Sequence, residues 1–466
     1  MQKLCDYNLI PPFEVPMRRT LAALFVVFAA SLTALALESV PAAEYHARRV
    51  ALSTQLTGGA ALIFAADESA LDFDPYRQDE DFYYLTGWNE PGAALVIEAP
   101  AANNGKYREI LFLPTRNLRL EKYTGIKLDA ATPGAPQRAG VDEVRPMTEL
   151  PAELDRITVG DPTHNLNPTA ARLFAALDEP HTTAALDVLS ASLGSHLPPA
   201  RDVRPLVMQL RITKSPAELA LLRKAGDASI AAHRALFQAI KPDISERSIS
   251  GLIDYKLKEN GCERPSYASI VGSGPNSTTL HYSANSRTMQ DGDLVVIDAA
   301  GEYSMYASDI TRTYPVNGHF TPRQREIYDI VLGAQNAARK AFVAGKSYMG
   351  NPLMREKADP HNLDKVAFDY INSHGKDLHG EPLGKYFIHG LGHSVGIGVH
   401  DPYDYAKPFL PGSVFTIEPG IYIPEEGIGV RIEDVVYVDA NGKLIDFQEA
   451  LPHTADEVEA AMKPVH

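Results

Sequence analysis

Three histidines, His389, His393 and His400, fall within the stretch FIHGLGHSVGIGVHD at residues 387–401. Two imidazoles four residues apart suit a zinc protease of the H-E-x-x-H type. That motif needs a helix to put both rings on one face, and a glutamate beside the first histidine. Here Gly390, Leu391 and Gly392 intervene, and each glycine costs a helix up to about 1 kcal/mol relative to alanine. The segment is therefore expected to be extended or looped, with no more than one of these histidines required as a metal ligand. Other ligands must come from elsewhere in the chain.

Four acids are candidates. Asp298 ends the apolar run LVVID, Asp309 lies in ASDITRT, Glu418 in SVFTIEPG and Glu433 in GVRIEDVVYV. A carboxylate at the end of an apolar strand is costly to bury unless it is paired or bound to a metal. Arg312 and Arg431 are the close basic residues, too few for four acids. Singly, each acid reads equally well as a strand-end turn or ion pair; as a set beside the histidine segment, they point to a metal. An oxygen-rich donor set is hard and favours Mn²⁺, with Co²⁺, Fe²⁺ or Zn²⁺ as alternatives. Four carboxylates carry more charge than one divalent ion balances, so two ions are expected. Two ions about 3.5–4 Å apart acidify a water and clamp an oxyanion. Hydrolysis of a carbonyl or phosphoryl centre follows as the reaction class.

The elements that must position these groups form an α+β pattern. From about residue 44 to 205, strand candidates are AALIF (60–64), FYYLTG (82–87), AALVIEA (93–99) and EILFLP (109–114), separated by helices and proline-rich loops. A second region runs from about 206 to 455. Ser215-Pro216-Ala217-Glu218 is a capping box that opens a helix to about 239, followed by a second helix over 244–260. Strands are expected at 293–300 and 306–316, joined by a turn around Gly301. Thr321-Pro322-Arg323-Gln324 opens another helix, one more spans about 362–374, and late strands fall at 413–418 and 429–438.

Composition narrows the function. The 466 residues are 45% hydrophobic and 22% charged, with a net charge of −15, which argues for a folded protein and against nucleic acid, whose binding needs a basic footprint. Cys5 and Cys262 are the only cysteines and make no disulfide framework or zinc knuckle. Residues 1–43 read as a leader. Arg18 and Arg19 precede an uncharged apolar run from Leu21 to Leu37, with A-x-A-like sites at Ala34–Ala36 and Val40–Ala42. This is the pattern of a secretory signal peptide starting at Met17, so a periplasmic or secreted protein is expected. An uncleaved membrane anchor is the alternative, since the run approaches the roughly 20 residues that span a bilayer.

SYASIVGSGPNSTTLHYSANSRTMQDGDLVVIDAAGEYSMYASDITRTYPVNGHF resembles the core of the pita-bread metallopeptidases, and within them the aminopeptidase P family. HGLGHSVGIGVHD, TIEPGIYIP and GVRIEDVVYV follow in that family's order, and YRQDEDFYYLTGWNEPGAALVI resembles its amino-terminal domain. The likeness covers roughly residues 44–450. It implies a C-terminal pita-bread domain (206–455) behind a smaller α/β domain (44–205). It also implies that Asp298 binds one metal, that Asp309 and Glu433 bridge two, and that His393 and Glu418 bind the other. A hydroxide between the ions would attack the carbonyl before proline, with Glu418 handling its proton, and the first residue of an Xaa-Pro peptide would be released. The resemblance places His281 and His400 against the scissile peptide and His389, Tyr422 and Arg431 around substrate or ligands. It further implies a homo-oligomer, dimer or tetramer, and no membrane contact once the leader is removed. Asp72 and Asp74, near the start of the matching amino-terminal segment, could receive the substrate's ammonium, although their spacing before Pro75 fits a solvated acidic loop better. Prolidase, with the same fold and ligands but only Xaa-Pro dipeptides as substrates, is the nearest alternative function. A metal-free binding module of the same fold is more distant, because all five ligand positions are filled. Methionine aminopeptidase lacks so large an amino-terminal domain.

Overall fold

AALIF is apolar at every position, and all five residues are buried in β1 (Ala60–Phe64), as expected of a strand covered on both faces. A computed structural model describes residues 38–68, 76–103, 105–159, 173–177, 180–193 and 200–464. Residues 1–37 of the leader, together with Asp72 and Asp74, lie outside the described residues. β1 pairs antiparallel with β2 (Ala94–Glu98), which pairs antiparallel with β3 (Arg108–Leu113). The sheet is completed by parallel β4 (Val144–Pro146) beside β3, and by β5 (Leu173–Ala175) and β6 (Arg201–Asp202) beyond β1. Its core joins Leu62, Val96, Ile110 and Phe112 to Leu154 of the helix Leu150–Val159.

FYYLTG, expected as a strand, is instead the body of a helix, α1 (Glu80–Thr86). Asp79 caps it by accepting a hydrogen bond from Phe82 N, and Gly87 ends it in a left-handed conformation. Phe82 to Thr86 are all buried, so no polar face marks the helical period. The capping acid, rather than the aromatic content, decides the element.

The second region opens with α2 (Arg204–Arg211), α3 (Pro216–Leu236) and α4 (Glu246–Glu259). The capping box at Ser215 forms in both directions: Glu218 N donates to Ser215 Oγ at 3.2 Å and Ser215 N to Glu218 Oε2 at 2.9 Å. Behind these helices lie antiparallel β8 (Ile270–Ser273), β9 (Leu294–Asp298) and β12 (Thr311–Pro315), while β7 (Arg264–Pro265), β10 (Gly301–Tyr303) and β11 (Tyr306–Ala307) form a small second sheet. The expected turn at Gly301 lies three residues later, where Ser304 and Met305 both take positive φ. The expected strand 306–316 is divided at Ser308–Ile310, which frees Asp309 from the ladder. The late run 429–438 divides likewise at Ile432–Glu433, into β15 (Ile428–Arg431), which pairs with β14 (Gly420–Ile423), and β16 (Asp434–Val438), which pairs with β13 (Val414–Ile417). α5 (Pro322–Ala341) and α6 (Leu363–Ser373) cover these sheets, and Leu236, Ile253, Ile297, Val331, Ile417 and Val430 share one core.

Candidate metal centre and catalytic cleft

Each strand break aims an acid at one point. Asp298 stands at the end of β9, Asp309 in the gap before β12, Glu418 just past β13 and Glu433 between β15 and β16. A bridge between Thr311 and Glu433 ties the two halves, with Glu433 N donating to Thr311 O at 3.0 Å. The glycine-rich segment brings in His393 without forming a helix, as its composition predicts. Thr416 in β13 receives the His393 N–H on its Oγ1 at 3.0 Å. A Cβ on Gly392 would come within 2.3 Å of the Thr416 carbonyl oxygen, so only glycine lets the backbone pass so close.

His393 Nδ1 faces the Ser394 carbonyl at 3.1 Å, which turns Nε2 towards Asp309 Oδ2 at 3.3 Å and Glu418 Oε1 at 3.4 Å. Asp309, His393 and Glu433 each offer a ligand atom within 4.8 Å of the others. Three hydroxyls steer the carboxylates. Tyr267 Oη donates to Asp298 at 2.5 Å and lies 2.6 Å from Asp309, Thr311 Oγ1 donates to Glu433 at 2.6 Å, and Thr416 Oγ1 donates to Glu418 at 3.3 Å. Tyr267, Thr311 and Thr416 escape sequence reasoning because a single hydroxyl carries no spacing signal.

Among the described residues, one permanent cation touches the cluster. Arg431 donates to Asp298 Oδ2 at 2.7 Å, to Thr311 Oγ1 at 3.0 Å and to Tyr422 Oη at 2.8 Å. Arg312, expected as a second partner, turns away: its guanidinium pairs with Asp434 at 2.6 Å and donates to the Glu433 carbonyl, filling a fully buried site behind the cleft. Alternation along β12 accounts for this, since Thr311 points to the acids and Arg312 to the opposite face.

The charge balance fits a metal load. Burial pushes the Asp298 carboxyl up, with Arg431 opposing and Asp309 adding to the rise. Burial raises Glu418 to about 7 against the pull of His393. Burial, then Asp309, Glu418 and Asp298, hold Glu433 well above the usual carboxylate range. Burial alone would lower His393, but Asp309 and Glu418 outweigh it and raise the imidazole to about 9. Asp298, Glu418, Glu433 and His393 are all raised because the buried acids have too little positive charge beside them, and divalent cations supply that charge.

All five residues line a cavity of about 580 Å³, together with His281, His389, His400 and Arg431. Tyr422 lies behind it, with its hydroxyl 2.8 Å from His389 Nε2. Burial, then Arg431, lowers His389 to about 3, so its ring is neutral. The His400 and His393 rings are 4.1 Å apart. Every site residue picked from the sequence is therefore gathered in or against one cleft, apart from Asp72 and Asp74, which fall outside the described residues.

Two family models match the chain: metallopeptidase family M24 over residues 220–440, and the aminopeptidase P N-terminal domain over 45–165. The Xaa-Pro aminopeptidase of Escherichia coli strain K12 is 37% identical over 442 residues, covering 90% of this chain and 97% of that protein. The Xaa-Pro aminopeptidase of Haemophilus influenzae is 34% identical, covering 91% and 98%. Among solved structures, Zn-substituted E. coli aminopeptidase P in complex with product superposes with a TM-score of 0.78 at 33% identity, covering 91% of this chain and 99% of that one. Proline aminopeptidase P II from Yersinia pestis gives 0.77 at the same identity and coverage. With its buried acids, its histidine ligand position and these likenesses along nearly its whole length, the chain belongs to metallopeptidase family M24, in the aminopeptidase P branch with a pita-bread fold, and is a divalent-metal hydrolase.

Proposed function

We propose that this enzyme removes the first residue from peptides with proline in second position, using two Mn²⁺ ions. The observation that carries the reading is the convergence of Asp298, Asp309, His393, Glu418 and Glu433 in one cavity with three further histidines. Asp298 would hold one ion, His393 and Glu418 the other, with Asp309 and Glu433 shared. When bound, the ions supply an acidified water and draw electrons from the scissile carbonyl. The chain's own groups do the rest. Glu418 takes the proton of the attacking water and passes it on towards the proline nitrogen, which has no N–H and leaves only once protonated. His400 and His281 reach the scissile peptide from the cavity wall. Neutral His389, held on Nδ1 by the Gly390 carbonyl and on Nε2 by the Tyr422 hydroxyl, each at 2.8 Å, presents a fixed ring beside the substrate. Arg431 holds Asp298 and Tyr422 in register.

The chain divides near residue 205, a reading supported by the separate apolar cores around Leu62 and Ile297. The leader directs it out of the cytoplasm, and among the described residues no helix is long and apolar enough to cross a membrane. Of the two cleavage sites, Ala36 is the better, because Val40 is buried and Pro41 caps the helix Ala42–Gln55. The exposed side chains of Leu118, Leu120, Tyr123 and Ile126 support a homo-oligomer, since apolar patches of this kind mark contact surfaces.

The deciding assay takes chelated enzyme, restores Mn²⁺ and compares an Xaa-Pro-Xaa tripeptide with an Xaa-Pro dipeptide. Metal-dependent release of the first residue from the tripeptide is expected. Cleavage of the dipeptide alone would make the enzyme a prolidase, and no cleavage of either by metal-loaded protein would refute the peptidase reading.

A further inference from the structure

His400 reaches into the cleft with nothing to aim it. Among the described residues its ring makes no hydrogen bond, and its one ring contact is His393. Its direction therefore rests on the backbone that carries it. The next residue, Asp401, is buried and fastened on every side. Its carboxylate accepts from Arg211 Nη2 at 2.5 Å, Lys214 Nζ at 2.9 Å and Gly398 N at 3.1 Å, and its own N–H donates to the Ser394 carbonyl at 2.9 Å. These bonds close the loop 394–401 at its base. Arg211 is itself held by Glu80 at 2.7 Å and Asp81 at 2.6 Å, and Arg77 donates to the Ile397 carbonyl at 2.9 Å. There is no slack: a Cβ on Gly396 would come within 2.6 Å of Asp401, and one on Gly398 within 2.6 Å of Glu80.

We propose that Asp401 is a positioning residue for His400, held by Arg211 and Lys214, and that Glu80 and Asp81 of the amino-terminal region help set the His400 imidazole through Arg211. Ion pairs in a buried network hold one geometry because leaving any member unpaired is costly. The chain uses that rigidity where the catalytic ring has no bond of its own. This rests on the reading above, in which His400 meets the scissile peptide.

The test is a double-mutant cycle with Asp401→Asn and His400→Ala, using Mn²⁺-loaded enzyme, a tripeptide with proline second, and temperatures well below each unfolding midpoint. Asp401→Asn should lower kcat about a hundredfold, the scale of an ångström-level misplacement, with KM and bound metal near wild type. The double variant should be no slower than His400→Ala alone, because the two changes act on one group. A purely structural Asp401 would leave kcat intact at low temperature, or its loss would multiply onto that of His400→Ala; either result overturns the proposal. Lys214→Gln leaves Arg211 on the carboxylate and decides the matter if Asp401→Asn is insoluble. Its smaller kcat loss should vanish in the His400→Ala background, and persistence there overturns the proposal. Failure of the wild type to cleave the tripeptide would refute the peptidase reading instead, so the two failures are distinct.

Discussion

His233 lies on α3 directly behind the strand that carries Asp298, and it is fully buried. Its Nε2 faces the Ala299 carbonyl at 2.9 Å and its Nδ1 the Tyr314 hydroxyl at 3.2 Å. A ring with Nε2–H donating to Ala299 and Nδ1 accepting from Tyr314 satisfies both contacts, and it is neutral. Burial lowers its pKa from 6.5 to about 4, with the Ala299 carbonyl opposing and Arg312 adding to the fall. The unfolded chain therefore binds a proton at higher pH than the folded one does. Stability from this residue is complete above about pH 6.5, falls as pH drops, and levels off below about pH 4. A gap of about 2.5 in pKa corresponds to about 3 kcal/mol in total, and about 2 kcal/mol of it is lost between pH 7.5 and pH 5. The perturbation is His233→Gln, which cannot titrate but keeps an amide donor for Ala299. Urea unfolding at the two pH values gives the difference between wild type and variant, in which the pH dependence of the shared metal site cancels. At pH 7.5 the variant should be less stable by about 1–2 kcal/mol from lost packing and hydrogen bonding. The gap should close or reverse at pH 5. Parallel pH dependence in the two proteins would refute the assignment of a buried neutral imidazole.

Replacing Asp309 or Glu433 by alanine should abolish both activity and bound metal, whereas His400→Ala should lower turnover with metal content near normal. Elemental analysis beside the peptide assay checks this, and equal metal loss in all three would remove the division between ligands and substrate groups. The buried Cys262 thiol is pushed by burial, then by Glu263 and Glu302, up to about 12. Iodoacetamide should therefore leave it unmodified by intact mass until denaturant is added. Exported protein should begin at Leu37, because cleavage after Ala42 would remove the buried Val40 and the helix cap Pro41. Amino-terminal sequencing of the exported form decides between the two.

Much of the site was legible before any coordinates. Gly390 and Gly392 ruled out the helix that a two-histidine zinc motif needs, and the isolated acids in LVVID, ASDITRT, TIEPG and GVRIEDV marked their own strand ends. Helix starts at Ser215 and Thr321 were readable because a capping box is a local device, complete within four residues. FYYLTG misled because its helix is buried on all sides, leaving neither helical nor strand period to read. Arg312 and Arg431 looked equivalent in the sequence, since both sit in apolar strands near acids. Only the pairing of strands placed Arg431 on Asp298 and Arg312 on Asp434.

By itself, then, the chain's sequence marked the candidate ligands and the helix starts, because residue type, glycine placement and caps act over a few positions. Tertiary structure alone decided their partners. The Tyr267 hydroxyl between Asp298 and Asp309 spans separations of 31 and 42 residues, and the Arg211–Asp401 pair spans 190. Contacts over such distances are set by sheet register and loop closure, which depend on the whole fold rather than on any local pattern.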